Sequence, residues 1–289
     1  MRGRVLALAV ILGGVLTCGA QVSIFESGIL TPSGVEGTLD WTVGWIQVEG
    51  FGIPPKSAAT ESQGILLARE AAIADARRRL MDILAGVPLT GSFTLQDHQE
   101  SESAASWALT ATLIGRAQLL PDREAWIVPA DGDWRDGYYQ VTLGLSLDEL
   151  ASASLPHVFA SEEPENAEPV AGPAPLYTGV VIDARGFPVA PAVFISLLSM
   201  AGEAFAEAVA PLYVPSTTYA GDYDGDILVE QAMDDPRVGG HPILIRPIAS
   251  DPKGRGFIIE NVMGLIVEHL GAATDILIRG GGSVLVIVD

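Results

Sequence analysis

The sequence is poor in the residues that most often carry chemistry. Cys18 is the single cysteine, which excludes a disulfide within the chain and leaves no thiol nucleophile after that position. The 4 histidines show none of the spacings typical of a zinc site. Neither a Gly-x-Ser-x-Gly elbow nor a phosphate-binding GxxxxGK loop occurs. These absences predict a protein that is not an enzyme and that binds no organic cofactor.

Basic residues are also scarce. The chain has 36 acidic residues against 16 basic ones, a formal net charge of −20, and Lys56 and Lys253 are its only lysines. So acidic a surface repels phosphate groups. The composition therefore predicts that neither nucleic acid nor anionic lipid headgroups are partners.

The sequence contains no apolar run long enough to span a bilayer as a helix. The run that comes nearest lies at the amino terminus. Two arginines precede the apolar run Val5–Leu16, and small residues precede Gln21. This pattern is typical of a signal peptide at residues 1–20, and it predicts export to the periplasm or the cell surface. The run is too short to predict a transmembrane helix. The alternative is an outer-membrane lipoprotein anchored through Cys18, although Thr17 stands where lipoproteins usually have a smaller residue.

A change in composition divides the remainder of the chain. Residues 161–175 contain 4 glutamates and 4 prolines, which predicts an extended, acidic linker. The predicted organisation is a leader at residues 21–37, an amino-terminal α+β domain at 38–160, this linker, and a carboxyl-terminal α/β domain at 176–289.

The clearest helical period lies at residues 60–84. Its apolar side chains collect on one stripe of an α-helix, and charged residues occupy the other faces. Thr60 or Ser62 can cap the first turn, and Gly86 followed by Pro88 ends the helix. The stripe predicts a helix that covers a sheet. It consists of Ile65, Ala68, Ala72, Ile73, Ala76, Leu80, Ile83 and Leu84.

The other segments of this domain alternate as strands do. Trp41 and Trp45 fall in the first of them, four positions apart, and would share one face. The core is the favoured place for that face, and a platform for stacking a sugar is the alternative. A short helical turn is predicted at Asp148–Ala153. We therefore predict a long helix packed on an antiparallel sheet. The predicted strands are Leu39–Phe51, Ser106–Gln118, Glu124–Pro129 and Gly137–Leu147.

The second domain shows buried-looking apolar runs and one further helical stripe at Phe257–Leu270. Ala192–Met200 favours a strand, with a helix as the alternative. The predicted fold class is therefore α+β in two domains, the second of them a mixed α/β domain. Its predicted strands are Tyr177–Ala184, Ala192–Met200, Pro242–Ala249, Asp275–Arg279 and Ser283–Val288.

Short motifs in both halves resemble known families. Residues 44–52 (GWIQVEGFG), 68–72 (AREAA) and 75–80 (DARRRL) resemble the amino-terminal module of flagellar assembly protein T and the LPP-type twenty-kilodalton outer-membrane lipoproteins. In those families a strand ending in V-x-G-x-G precedes a helix with an A-R-x-x-A-x-x-D-A core. Residues 177–186 and 284–289 look like a domain of uncharacterised exported proteins. The resemblance implies an assembly role in the periplasm or at the surface, and it implies no catalytic residues.

Alternating carboxylates at Asp222, Asp224 and Asp226 are the candidate metal ligands. Oxygen ligands suit a hard cation, and calcium is the ion that these residues would take. The segment is not an EF-hand, because Ile227 and Met233 stand where the required glycine and the closing glutamate belong. A solvated acidic turn is the alternative interpretation.

Arg77–Arg79 is the one basic cluster in this acidic sequence. Consecutive helical residues spread around the helix axis, so the three arginines cannot face a single ligand. We expect them to pair with Glu70, Asp75 and Asp82.

These patterns predict an exported, non-enzymatic protein that interacts with or assembles envelope or flagellar proteins. The alternative is a periplasmic module that binds a small ligand or calcium near residues 222–226.

Overall fold

The computed structural model describes residues 37–91, 93–97, 103–158, 177–188, 190–218, 225–274 and 284–289. The predicted signal peptide and linker lie outside these ranges, as does the leader except for Gly37. Helices occur together with antiparallel and mixed sheets, which confirms the predicted α+β class.

The predicted long helix is present as α1 (Glu61–Ala85). Thr60 caps it, since the Thr60 hydroxyl accepts a hydrogen bond from the backbone N–H of Gln63 at 3.3 Å. Gly86 ends it by donating to the carbonyl oxygen of Ile83 at 3.0 Å. The buried stripe is rich in small side chains, which allows the backbone of a sheet to approach closely. It consists of Gly64, Ala68, Ala72, Ala76, Leu80, Ile83 and Leu84.

A five-stranded antiparallel sheet packs against α1, as predicted. Its strands are β1 (Gly37–Asp40), β2 (Trp45–Gly52), β5 (Gln118–Leu119), β6 (Ala125–Ile127) and β7 (Tyr138–Ser146). They follow the order β1-β2-β7-β5, and β6 also pairs with β7. The central strands β2 and β7 contact α1.

Two glycines of β2 bring the sheet close to the helix. A Cβ atom at Gly50 would lie 2.5 Å from the backbone nitrogen of Ala76 and closer still to the carbonyl oxygen of Ala72. A Cβ atom at Gly52 would lie 2.5 Å from the backbone nitrogen of Ala72 and would overlap the carbonyl of Ala68. Both are the glycines of the V-x-G-x-G strand, so this motif marks a backbone contact between strand and helix.

Asp75 adds a polar link between α1 and β2. Its carboxylate accepts a hydrogen bond from the backbone N–H of Phe51 at 3.1 Å and pairs with Arg78 at 2.9 Å and Arg79 at 2.8 Å. Partial burial opposes its ionisation, but these hydrogen bonds and the charges of both arginines hold the pKa of Asp75 below its ordinary value. Arg78 and Arg79 of the basic cluster therefore support the carboxylate that joins the helix to the sheet.

The other expected ion pairs are present in part. Arg78 also pairs with Asp82 at 3.1 Å. Glu70 lies 3.8 Å from Arg69, which is not one of the three arginines of the cluster. The strongest contact of Arg69 is a bidentate one with Glu124, at 2.9 and 3.0 Å, and it links α1 to the start of β6.

Asp75→Asn is expected to lower the free energy of unfolding by about 1–2 kcal/mol near neutral pH, because the amide loses charge-assisted hydrogen bonds. The folded-state pKa lies below the unfolded one, so the contribution is present above the unfolded pKa and is lost as pH falls through the folded value. Urea unfolding at about pH 7 and pH 3 measures this. The gap between the two proteins should shrink in acid, and an unchanged gap would contradict the role of charge. Asp82→Asn, the exposed control, should cost under about 0.5 kcal/mol.

The predicted strand at Ser106–Gln118 is wrong. These residues belong mostly to helix α2 (Ser103–Arg116). Leu109 and Leu113, both buried, are four positions apart, and that spacing places two side chains on one face of a helix and of a strand alike. The period of this segment therefore could not separate the two structures.

A longer helix replaces the predicted turn after β7. Helix α3 (Leu147–Val158) includes the predicted helical turn at Asp148–Ala153 and contacts α2. Arg116 at the end of α2 donates to the carbonyl oxygen of Glu149 in α3 at 3.2 Å. The two helices thus pack as a pair beside the first sheet.

The carboxyl-terminal half contains two four-stranded sheets. The strands of the first sheet are β8 (Gly179–Asp183), β11 (Leu212–Pro215), β12 (Pro242–Ile245) and β15 (Val284–Val288). They follow the order β11-β15-β8-β12, and all neighbouring strands are parallel. All five residues of β15 are buried, as expected of a strand covered on both faces. The predicted strands at Tyr177–Ala184, Pro242–Ala249 and Ser283–Val288 contain these elements.

The second sheet is mixed. Its strands are β9 (Phe194–Leu198), β10 (Ala204–Val209), β13 (Ala249–Ser250) and β14 (Gly256–Ile258). They follow the order β10-β9-β14-β13, in which β9 and β14 are parallel and the outer pairs are antiparallel. The prediction of a strand at Ala192–Met200 is therefore confirmed.

The remaining elements connect these layers. They are the small sheet of β3 (Pro88–Thr90) and β4 (Phe93–Thr94) and the helices α4 (Gly225–Met233) and α5 (Asn261–Thr274). The predicted helix at Phe257–Leu270 is wrong in its first turn, because Phe257 lies in β14. The predicted strand Asp275–Arg279 lies outside the described residues.

The two halves meet around Tyr213, which is fully buried. Its ring packs edge to face on Trp41, with centroids 5.5 Å apart. Its backbone N–H donates to the carbonyl oxygen of Trp41 at 3.1 Å. Its hydroxyl accepts from the N–H of Ala192 at 2.8 Å and donates to the carbonyl of Ala192 at 3.1 Å. Burial raises the pKa of Tyr213, so the hydroxyl remains a donor.

Further contacts join the halves. Arg237, held by Asp235 at 2.7 Å, donates from Nη1 to the carbonyl oxygen of Thr42 at 2.8 Å. Buried apolar residues of both halves form one contiguous cluster. Trp41 lies in the turn between β1 and β2, so the prediction that Trp41 and Trp45 share a strand face is wrong. The domain division itself stays a prediction, since the linker lies outside the described residues.

Candidate interaction surface

Three strands of the mixed sheet have one terminus at the same end of the sheet: β9 and β14 end there, and β13 begins there. Ile258 in β14 is paired with Leu198 in β9 and with Ala249 in β13. Beyond the strands, the N–H of Ile259 donates to the carbonyl of Leu198 at 2.9 Å, and the N–H of Ile248 donates to that of Ile258 at 2.8 Å. The segments that follow β9 and β14 and that precede β13 therefore emerge side by side.

Four large apolar side chains are exposed on these segments and on the start of α5. The exposed fractions are 76% for Met200, 71% for Val262, 63% for Leu265 and 47% for Ile248. We call these four residues the strand-end surface. Single exposed apolar residues are ordinary, but several at one place mark a site of interaction.

A groove of about 430 Å³ runs along this surface. Its lining combines the β9–β10 turn with the first turns of α5. The apolar part of the lining is Met200, Phe205 and Leu265, and the polar part is Ser199, Glu203 and Asn261. The lining of the groove is therefore mainly apolar, and it includes one carboxylate, that of Glu203.

The β9–β10 turn holds Met200 in a defined place. The N–H of Ser199 donates to the carbonyl of Glu203 at 2.7 Å, and the hydroxyl of Ser199 accepts from the N–H groups of Ala201 and Glu203, both at 3.2 Å. Gly202 has a φ of 84°, a left-handed conformation that favours glycine. The turn is thus ordered by its own hydrogen bonds, and Met200 points outward from it.

Helix α5 forms the other wall. Gly264 packs against the ring of Phe205, where a Cβ atom would overlap the ring, and Val267, one turn further, is buried. Val262 and Leu265 are also three positions apart, and they lie on an exposed face. The helix is therefore apolar on two faces, and only one of them is covered within the described part of the chain.

Two glutamates accompany the groove: Glu203 lines it, and Glu260 directly precedes Asn261, which also lines it. Glu203 and Glu260 are both exposed. Arg255, the cation that approaches Gly202, is bonded to the carboxylate of Asp251 at 2.8 Å. The hydrogen bond from Arg255 holds the pKa of Asp251 below its ordinary value, against a smaller effect of burial. Two exposed carboxylates therefore accompany the apolar lining of the groove.

The predicted metal ligands are Asp222, Asp224 and Asp226. Asp222 and Asp224 are outside the described residues, and Asp226 belongs to the first turn of α4, where only the backbone is described. Within the described ranges, no group of three or more histidine, cysteine, aspartate or glutamate residues is arranged to hold a metal ion. The calcium site stays a prediction.

The carboxyl ends of the parallel strands, where α/β folds often bind ligands, carry paired charges. Asp183, the last residue of β8, accepts from Arg185 at 2.7 and 2.8 Å and lies 3.9 Å from Arg246. Burial opposes its ionisation, but the hydrogen bonds and charge of Arg185 hold the pKa of Asp183 below its ordinary value. This carboxylate is already neutralised by guanidinium groups.

Of the histidines, only His241 has a described side chain, and it is exposed. Sequence reasoning missed Met200, Ile248 and Leu265. The signal that could have found Leu265 is the apolar character of α5, whose residues Val262, Met263 and Leu265–Val267 cover more than one helix face.

No protein-family model matches this sequence, and no curated protein matches it. Within the described residues, no helix has both the length and the apolar character needed to cross a membrane.

Proposed function

We propose that this protein is an exported, non-catalytic component of the cell envelope that works by binding other envelope or flagellar proteins. The observation that carries the proposal is the strand-end surface, where Met200 and Leu265 are exposed in the lining of a groove of about 430 Å³ and Ile248 and Val262 are exposed on neighbouring segments. Burial of such side chains against a partner would release the water that now covers them.

Two features of the sequence support the same proposal. The signal-peptide pattern at residues 1–20 is that of exported proteins. The motifs that resemble the envelope families lie on β2 and α1, and Gly50 and Gly52 serve the contact between them. The calcium-binding alternative remains a prediction for residues 222–226.

Leu265→Asp is expected to reduce the recovery of envelope proteins on the tagged, exported protein at least about tenfold, because a charge in an apolar contact costs about 1.4 kcal/mol or more. Leu265 is 63% exposed, so folding should be unaffected. Affinity purification from the native envelope with quantitative mass spectrometry measures the recovery.

Leu66→Asp is the matched control, since Leu66 is a helical leucine with an exposed fraction of 58% on α1. It should bind as the wild type does. Equal recovery with Leu265→Asp, or the absence of any envelope protein in the wild-type sample, would overturn the proposal. The same spectra report whether the mature chain begins at Gln21 or at a lipidated Cys18.

A further inference from the structure

We infer that the strand-end surface receives a cationic amphipathic segment of its partner, in which apolar side chains are flanked by lysine or arginine. This inference rests on the proposed function and adds the chemistry of the partner to it. The apolar lining of the groove and the two exposed carboxylates, Glu203 in the lining and Glu260 next to Asn261, are the features that select such a segment.

The groove suits inserted side chains. Its volume of about 430 Å³ falls within the range of about 300–1,000 Å³ usual for binding pockets. Phe205 and Leu265 provide fixed apolar walls, and Met200, with an unbranched and flexible side chain, can adjust to what enters. The exposed face of α5 extends the apolar contact beyond the groove through Val262.

The two glutamates supply the charge. Glu203 lies at the end of the β9–β10 turn and lines the groove, and Glu260 directly precedes α5. Both are exposed, and neither forms an ion pair with another described residue. Basic residues of a partner would meet these carboxylates as the apolar side chains enter, and the overall charge of −20 would speed the approach of a cationic partner.

Two other occupants fit the charge less well. In a symmetric dimer built on this surface, both chains would bring Glu203 and Glu260 into the same interface, and each chain would carry a net charge of −20. An anionic lipid surface would meet the same repulsion. The two carboxylates therefore favour a basic protein segment over a second copy of the chain and over a membrane.

The test measures binding of a synthetic helical peptide of leucine and lysine, about 18 residues long, by fluorescence anisotropy at physiological salt. The double variant Glu203→Gln/Glu260→Gln should raise the Kd at least about tenfold. Glu49→Gln/Glu61→Gln is the control, because it also removes two exposed carboxylates, one of them at the start of α1. It should change the Kd less than about twofold.

Several results would overturn the inference. Equal weakening in both double variants would mean diffuse attraction to an acidic protein, and equal binding of a leucine–glutamate peptide would mean that charge has no role. Binding to phosphatidylglycerol vesicles that strengthens in Glu203→Gln/Glu260→Gln would assign the surface to lipid. Sedimentation that shows a dimer in the wild type and a monomer in Leu265→Asp would assign it to a second copy.

The experiments distinguish a failure of the proposed function from a failure of this inference about the partner's chemistry. If Leu265→Asp loses envelope proteins while Glu203→Gln/Glu260→Gln retains them, the surface binds proteins but not through basic residues. If the peptide binds as expected while Leu265→Asp still recovers every envelope protein, the chemistry of the surface stands and its use in the envelope does not.

Discussion

Gly50→Ala is expected to lower the free energy of unfolding by about 3 kcal/mol, because β2 and α1 leave no room for the added methyl group. The new Cβ would lie 2.5 Å from the backbone nitrogen of Ala76 and would overlap the carbonyl of Ala72. Both are backbone atoms of α1 and cannot rotate away. The helix would have to move off β2, and the buried alanine stripe would lose its contacts with the sheet.

Thermal or urea unfolding followed by circular dichroism measures the loss. Gly115→Ala is the matched control, because no described atom lies within 4 Å of a Cβ atom at Gly115 and the residue belongs to α2. Alanine there should leave stability unchanged or raise it by about 0.5–1 kcal/mol. A Gly50→Ala protein as stable as the wild type would show that β2 and α1 do not approach so closely.

Tyr213→Phe is expected to cost about 2–3 kcal/mol, because one hydroxyl serves two buried backbone groups. The oxygen accepts from the N–H of Ala192 and donates to the carbonyl of the same residue. No other hydrogen bond to the backbone of Ala192 occurs among the described residues. Phenylalanine keeps the edge-to-face contact with Trp41, so the loss reports the hydroxyl alone.

Tyr138→Phe is the control for this substitution. The Tyr138 ring also contacts an aromatic partner, Phe51, with centroids 6.0 Å apart, and its hydroxyl makes no hydrogen bond with another described residue. It should change stability by less than about 0.5 kcal/mol. Because Tyr213 lies where the halves meet, its variant should still unfold in one transition at a lower denaturant concentration. A stable Tyr213→Phe protein would contradict the hydrogen bonds to Ala192.

The sequence was sufficient for elements whose period and end signals agree. Thr60, the alanine-rich stripe and Gly86 identify α1 to within one residue at either end. The β-branched runs at Tyr177–Ala184 and Ser283–Val288 identify buried strands, and their parallel pairing comes from the structure. In each case, local propensity and burial favour the same structure.

Sequence reasoning failed where one spacing fits two structures. Leu109 and Leu113 satisfy a helix and a strand equally, and packing against α3 and α1 decided for the helix. Trp41 continues the alternation of β1 in the sequence, yet it turns away to meet Tyr213 from the other half. Contacts between segments that are distant in the sequence determined both the helix α2 and the position of Trp41.

The candidate site shows the same limit more sharply. Met200, Ile248 and Leu265 are far apart in the sequence and belong to three segments without a shared motif. The register that pairs Ile258 with Leu198 and with Ala249 brings the segments together. No local pattern encodes that register, because it depends on which strands pair.

The sequence alone determined the acidic charge, the single cysteine, the predicted export signal, the α+β class and the long helix. All of these depend on composition or on the period of neighbouring residues, which a linear chain displays directly. Tertiary structure alone decided the contact of Gly50 with α1, the junction at Tyr213 and the exposed apolar surface beside the groove. Those features arise from pairings between residues separated by many positions, and their energy is set by packing that exists only once the strands and helices have met.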